Sequence, residues 1–306
     1  MTHVEKLLSQ TERIIDRLKA NHEKELIESY KRALADIKTK ISVMYEKYGD
    51  QVQYSDMVRL KRLQSLEDQI NVIVKNLNKE TTTTITSAVK NVFQESYYHT
   101  GYSFEALVNR SLNFGRLTES VVNASLKNPL DKIGWGKRNK QNILEMTKAV
   151  RDEITQGLIQ GKGYTVTARA INDRLNIGVN KSLKVVRTET HRVQNKALSD
   201  SFSTAKKSFE KIRIDLKKIW DATLDTRTRQ RHRDMDGEIA NEEGKFNFYG
   251  KMVDGPGMVG DPQEDIHCRC RIRFQFKGYS PKVRRDNVSG EIITYKTYNE
   301  WKQSLS

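Results

Sequence analysis

Two runs decide how this chain is read: KIRIDLKKIWDATLDTRTRQRHRDMDGEIA at residues 211–240 and GDPQEDIHCRCRIRFQFK at residues 260–277. Both cysteines of the chain lie in this region, with two of its six histidines and two of its four prolines. From Ile266 to Phe276 apolar and polar residues alternate. Ile266, Cys268, Cys270, Ile272, Phe274 and Phe276 therefore share one face of a strand, and His267, Arg269, Arg271, Arg273 and Gln275 share the other. Ile212, Ile214 and Leu216 alternate in the same way, so residues 211–216 are expected to be the antiparallel partner. Between them Asp225 is placed to cap a short helix carrying Arg227, Arg229, Arg231, His232 and Arg233, with Gly237 as its stop. Residues 250–262 hold four glycines and two prolines and read as a loop.

Two thiols one residue apart on one face can point at a single soft metal, and His232 is a candidate third ligand for one structural zinc. The same cysteines can equally pack as small apolar residues beside Ile272 and Phe274. A disulfide between them would be strained on a regular strand. His267, on the opposite face, is not expected to join them. The arginines also read two ways. Arg227, Arg229, Arg231, Arg269, Arg271 and Arg273 are candidate contacts to the phosphates of duplex DNA. Alternatively, they pair with Asp234, Asp236, Glu264 and Asp265 or stand in solvent.

Trp220, then Asp225 with Arg227 and Arg229, then His232, then Asp236-Gly237, and finally Pro262 leading to Cys268 and Cys270 form an ordered set. In this set the chain resembles the phage Mu protein F-like minor head proteins, the phage head morphogenesis family. A second block, Arg187-Thr-Glu189-Thr with Arg192, is similar to the helix just upstream in that family, and the likeness runs from about Ile154 to Phe276. The resemblance implies a non-enzymatic protein of the virion head, passing through the host cytoplasm during assembly. It also implies partners in the procapsid and portal. Arg187 and Glu189 become candidates to tie their helix to the β-containing region, and Trp220, Asp225, Asp236 and Gly237 become structural residues.

The rest of the 306-residue chain fits a mainly α, α+β protein: an elongated helical N-terminal body with a small antiparallel β-containing C-terminal domain. The expected division is a helical hairpin or bundle at 1–130, a helical region at 131–207, the small α+β domain at 208–278 and a tail at 279–306. Residues 3–48 read as one helix, with Ile27, Tyr30, Leu34, Ile37, Ile41, Met44 and Tyr48 along a heptad seam. Leu63, Leu66, Ile70, Ile73 and Leu77 form a second seam, folded back on the first. The threonines at 81–84 are poor helix formers and are expected to break the next helix or cap it. Tyr97, Tyr98, Tyr102 and Phe104 cluster around Gly101, as at a packed helix corner. A boundary is expected near residue 130, a helix end at 157–163, and then separate helices at 165–175 and 179–207. The tail is expected to be either a hairpin or a flexible arm.

The chain carries 54 basic and 39 acidic side chains, a net charge of +15, spread along its length. That favours a polyanionic partner over a discrete polybasic anchor. The first residues lack the apolar core of a signal peptide, and no run is long enough to span a bilayer. The phosphate-loop pattern is absent, as are helix-turn-helix and finger signatures of a sequence-reading regulator. A second function class keeps a foothold: a metal-dependent phosphoesterase or nuclease using His232 with Asp234, Asp236 and His267.

Overall fold

The computed structural model describes residues 3–49, 52, 54–59, 61–128, 133–276 and 283–303. In order, the elements are α1 (His3–Tyr48), α2 (Tyr54–Arg59), α3 (Arg62–Val108), α4 (Glu119–Ser125), α5 (Trp135–Ile159) and α6 (Tyr164–Lys211). There follow β1 (Leu216–Asp221), α7 (Gln230–Asp234), β2 (Phe246–Phe248), β3 (Lys251–Val253), α8 (Pro262–Asp265) and β4 (Arg271–Phe276). The chain closes with β5 (Val283–Arg285), β6 (Ile292–Thr294) and α9 (Tyr298–Gln303). The protein is mainly helical with a small β-containing C-terminal region, as its sequence implies. Two compact units divide it: one of Ala20–Ala88 and Ile133–Val186, the other of Met1–Lys19, Val89–Lys132 and Arg187–Ser306. The expected boundary near residue 130 falls outside the described residues.

The first of these units is all helical. Its α1 seam is offset from the one read in the sequence. Leu26, Tyr30, Ala33, Ile37, Ile41 and Met44 are buried, while Ile27 and Leu34 lie half-buried beside them. On α3, likewise, Val74 is buried where Ile73 was expected. The threonine tract does not interrupt α3. Thr81 Oγ1 donates to the Leu77 carbonyl (2.9 Å) and Thr86 Oγ1 to the Thr82 carbonyl (2.8 Å), so these hydroxyls satisfy themselves within the helix. Thr81 also has a tertiary partner, because Asn139 Nδ2 donates to it (3.1 Å). Ser182 Oγ donates to Asn139 Oδ1 (2.9 Å) and meets Tyr30 Oη at 2.8 Å. This buried chain links α3, α5, α6 and α1, which is what overrides the poor local propensity. Burial raises the Tyr30 hydroxyl to about 12.

The two helices expected at 165–175 and 179–207 are one, α6. Gly178 sits inside it because a Cβ there would lie 2.7 Å from Met146 Sδ. This glycine serves close packing, so it ends nothing.

In the other unit the antiparallel pair is β1 with β4, in the register Leu216↔Phe276 and Trp220↔Ile272. The partner strand expected at 211–216 therefore lies five residues further on. Helix α6 continues to Lys211, and Arg213 turns the chain out of it with a left-handed φ of 58°. Ile272, Phe274 and Phe276 bury one face of β4, with Phe274 packed edge-on to Phe104 at 4.9 Å. Gly101 lies within α3, and a Cβ on it would strike the Phe114 ring at 2.6 Å. The tail is a hairpin, β5 against β6. Trp301 of α9 is buried against Leu224.

Lys218, on the inner face of β1, is 1% exposed. Its ammonium donates to Ser199 Oγ and to the Asp254 carbonyl, each at 2.8 Å, and lies 5.2 Å from the Phe246 ring centroid. Burial pushes its pKa from 10.5 down to about 8; Asp254 opposes this shift and Lys196 adds to it. A base whose pKa is depressed by folding binds its proton more weakly in the native state, so stability rises with pH between about 8 and 10.5. Relative to Lys218→Met, the wild type should gain about 2–3 kcal/mol in urea unfolding between pH 7 and pH 10. Parallel pH profiles for the two proteins would show that Lys218 does not change charge in that window.

Candidate metal centre

The site is assembled from three short segments. The first is the turn leading into α7. Asp225 Oδ1 accepts from the backbone amides of Arg227 and Thr228, each at 2.9 Å. The Arg269 guanidinium grips the same carboxylate, with Nη2 at 2.9 Å from Oδ1 and Nη1 on Oδ2. Burial acts to raise the Asp225 pKa, but Arg269, Thr228 and the Arg227 amide outweigh it and hold the carboxyl below its usual range. Asp225 thus locks a turn and does not cap the helix. Helix α7 starts later, at Gln230, after an Arg229 N-cap that makes no side-chain cap, so Arg227 and Arg229 precede the helix.

The second segment returns the chain to β1. Asp236 Oδ1 accepts from the Ala222 amide (2.7 Å) and Oδ2 from Arg284 (3.1 Å). Gly237 has a φ of 87°, and its amide donates to the Trp220 carbonyl (2.9 Å). Trp220 is fully buried, stacked on Phe248 at 5.6 Å and edge-on to the His232 ring at 5.7 Å.

The third segment is α8 and the residues after it. The expected strand from Ile266 begins only at Arg271, because α8 occupies 262–265 and His267 bends the chain at φ 60°. Cys268 and Cys270 still end on one side. Cys270 Sγ lies 3.4 Å and Cys268 Sγ 3.6 Å from His232 Nδ1, and both thiols are free. The ligand atoms of His232, Cys268 and Cys270 lie within 4.8 Å of one another, and all three residues are buried. Among the described residues this is the one such group, and His267 is not part of it.

His232 Nε2 lies 3.0 Å from Glu264 Oε2. A carboxylate oxygen accepts, so a proton carried on Nε2 would be donated to Glu264, with Nδ1 turned toward the two sulfurs. Glu264 is itself buried and accepts from Arg231 Nη1 at 2.8 Å. No spacing in the sequence marks Glu264 as a partner of His232. Its position three residues after Asp261, the side chain that caps α8, is the available hint.

The candidate phosphate-binding arginines are distributed as follows. Arg227 is 79% exposed, with Asp225 Oδ2 3.8 Å away. Arg229 Nη1 donates to the Glu264 carbonyl (3.2 Å) and Nη2 to that of Ile266 (2.5 Å). Arg231 pairs with Glu264 and lies over the Phe248 and Tyr249 rings. Arg269 holds Asp225, Arg271 pairs with Asp16 (2.8 Å), and Arg273 donates to Tyr295 Oη (2.9 Å).

Helix α6 supports this region from behind. Glu189 and Arg192 pair at 2.9 Å in full burial, and Arg192 Nη2 donates to the Ser125 carbonyl (2.7 Å). Arg187 is exposed. The residue that sequence reasoning missed is Asn195. Its Nδ2 lies 3.1 Å from the Pro256 carbonyl, 3.2 Å from the Cys270 carbonyl and 3.1 Å from His191 Nε2. Its Oδ1 accepts from the Ile272 amide (3.0 Å). Burial holds His191 well below its ordinary pKa, with the charges of Lys19 and Arg271 acting the same way, so its ring is neutral.

The fold and site together define a mainly helical chain whose last long helix carries a small, cysteine-containing antiparallel region. Residues 148–273 match the model of the family described as Phage Mu protein F like protein. Every motif residue from Arg187 to Cys270 lies inside the matched span. The chain is 29% identical over 303 residues to minor head protein GP7 of Bacillus phage SPP1, covering 96% of each. It is also 30% identical over 286 residues to NAD(+)--arginine ADP-ribosyltransferase EFV of Enterococcus faecalis (strain ATCC 700802 / V583). That alignment covers 92% of this chain and 58% of the relative. No solved structure matches the chain. Among the described residues, no helix is long and apolar enough to cross a membrane.

Proposed function

We propose that this protein is a minor head protein of a tailed phage, joining the procapsid beside the portal and lying against packaged DNA. The observation that carries the reading is the alignment with the SPP1 minor head protein over 96% of both chains. The net charge of +15 suits a place near a polyanion. The reading involves no turnover. Asp234 is engaged by Gln230 and Tyr249, and Asp236 by Ala222 and Arg284, which supports a structural role for these carboxylates. The protein would be found in the host cytoplasm during assembly and inside the head afterwards.

The test is fractionation of lysates from cells making particles of the phage that encodes it. The chain is expected to sediment with procapsids and to leave that fraction when the portal gene is deleted. Retention without the portal would rule out portal attachment, and a chain found only at the top of the gradient would rule out the head assignment.

Contact with DNA has its own readout. Binding to duplex should be independent of sequence and weaken with salt. Arg227 is the most exposed of the candidate arginines, and Arg227→Ala should lower the slope of log affinity against log salt by about 0.9 if it neutralises one phosphate. An unchanged slope would remove Arg227 from the contact. Absence of binding by the wild type at low salt would remove DNA altogether.

A further inference from the structure

We infer that His232, Cys268 and Cys270 form a binding site for one thiophilic divalent cation of the zinc class, with Glu264 as the residue that positions the imidazole. The inference rests on this geometry alone and stands apart from the head assignment.

Four observations carry it. The first is spacing. Zinc sits about 2.3 Å from sulfur and 2.0–2.1 Å from nitrogen, so a tetrahedral ion separates these atoms by about 3.6 Å. The sulfurs lie 3.4 and 3.6 Å from His232 Nδ1, so little rearrangement is needed to admit the ion. The second is orientation. A histidine ligand characteristically gives its other ring N–H to a carboxylate, which fixes the ring and its tautomer. Glu264 stands 3.0 Å from Nε2 in that role, and Arg231 holds Glu264 in turn.

The third observation is charge. The two thiols lose their protons on binding, so a divalent ion with two thiolates and a neutral imidazole is uncharged, which suits full burial. The fourth is the poverty of regular structure at this point. The ligands come from α7 and from the irregular stretch before β4, joined by a loop of short elements. A small region of this kind gains most from a metal staple. The fourth coordination position is left to a small ligand such as water.

The experiment uses the full chain, expressed with zinc supplementation and purified reduced and without chelator. About one zinc per chain is expected by elemental analysis. After zinc removal, titration with Co2+ should produce thiolate-to-metal charge-transfer absorption that zinc abolishes. Cys268→Ser/Cys270→Ser should lose both signals. Glu264→Gln should keep the absorption band but bind Co2+ about 10–100-fold more weakly. The wild-type spectrum needs no variant to fold. A reduced wild-type chain that holds no zinc and gives no charge-transfer band overturns the proposal. Zinc retained by the double-serine variant overturns it too, by placing the metal elsewhere. Unchanged Co2+ affinity in Glu264→Gln would overturn the positioning role assigned to that residue.

Discussion

Asn195→Ala is expected to destabilise the unit formed by Met1–Lys19, Val89–Lys132 and Arg187–Ser306 by about 3 kcal/mol or more. Asn195 is fully buried, and its one amide group serves four partners. Truncation leaves the Ile272 amide and the Pro256 and Cys270 carbonyls without this partner in the interior. Each buried polar group abandoned in this way costs about 1–3 kcal/mol. The orientation of the amide follows from chemistry, because an N–H must donate to Oδ1 and two carbonyls can accept only from Nδ2. Asn195→Asp should therefore be no milder: it keeps the acceptor for Ile272 but points a carboxylate at two carbonyl oxygens. Urea unfolding checks both variants. A midpoint within error of wild type for Asn195→Ala would mean that water replaces the amide without loss.

Asp225→Asn tests the turn on the other side of the module. The substitution keeps the shape and one acceptor for the Arg227 and Thr228 amides, but removes the charge that Arg269 holds. Breaking a buried pair costs about 3–5 kcal/mol, and the partial exposure of Arg269 (36%) places this case at about 3. The pH dependence follows from the sign of the shift. Asp225 titrates below 3.8 in the fold, so its contribution is present above that value and is lost as pH falls through the folded pKa. The gap between wild type and Asp225→Asn should be constant from pH 7 to about pH 5 and close in stronger acid. A gap that persists unchanged in acid would assign the effect to lost hydrogen-bond geometry instead of lost charge.

How far the sequence could be read depended on whether partners were local. The first helix was legible to its ends, His3 and Tyr48, because Gly49 follows with a φ of 80° that favours glycine. Its buried seam was legible only to within one residue, since Leu26 and Ile27 are equally apolar and the neighbours decide which turns inward. The threonines at 81–84 misled because propensity is local, while Asn139, the partner of Thr81, is 58 residues away. The expected break between 175 and 179 is absent for a similar reason, since Gly178 packs inside α6 against Met146. The position of β1 was hidden by an α6 longer than its periodicity shows, which moved the pairing from 211–216 to Leu216–Asp221.

At the candidate metal centre, the two cysteines and His232 could be singled out by residue type. Alternation is also what placed the cysteines on one side, although they precede the regular strand. Glu264 and Asn195 could not be found in that way. Their partners lie 32 and 61–77 residues away, apart from His191, and beyond Glu264's place three residues after the α8 cap Asp261 nothing in their own spacing points to them. For the arginines two readings are open in the sequence, phosphate contacts or pairing with nearby acids. Arg231 takes the expected Glu264 carboxylate, while Arg229 takes main-chain carbonyls and Arg269, Arg271 and Arg273 have partners outside the acids expected.

The head assignment is tested most directly by mass spectrometry of purified, nuclease-treated heads from the phage that encodes this chain. Its peptides should appear in those particles, including peptides from the region between Arg187 and Phe276, at far lower abundance than the major capsid protein. Heads that assemble and package normally while containing none of this chain would contradict the assignment.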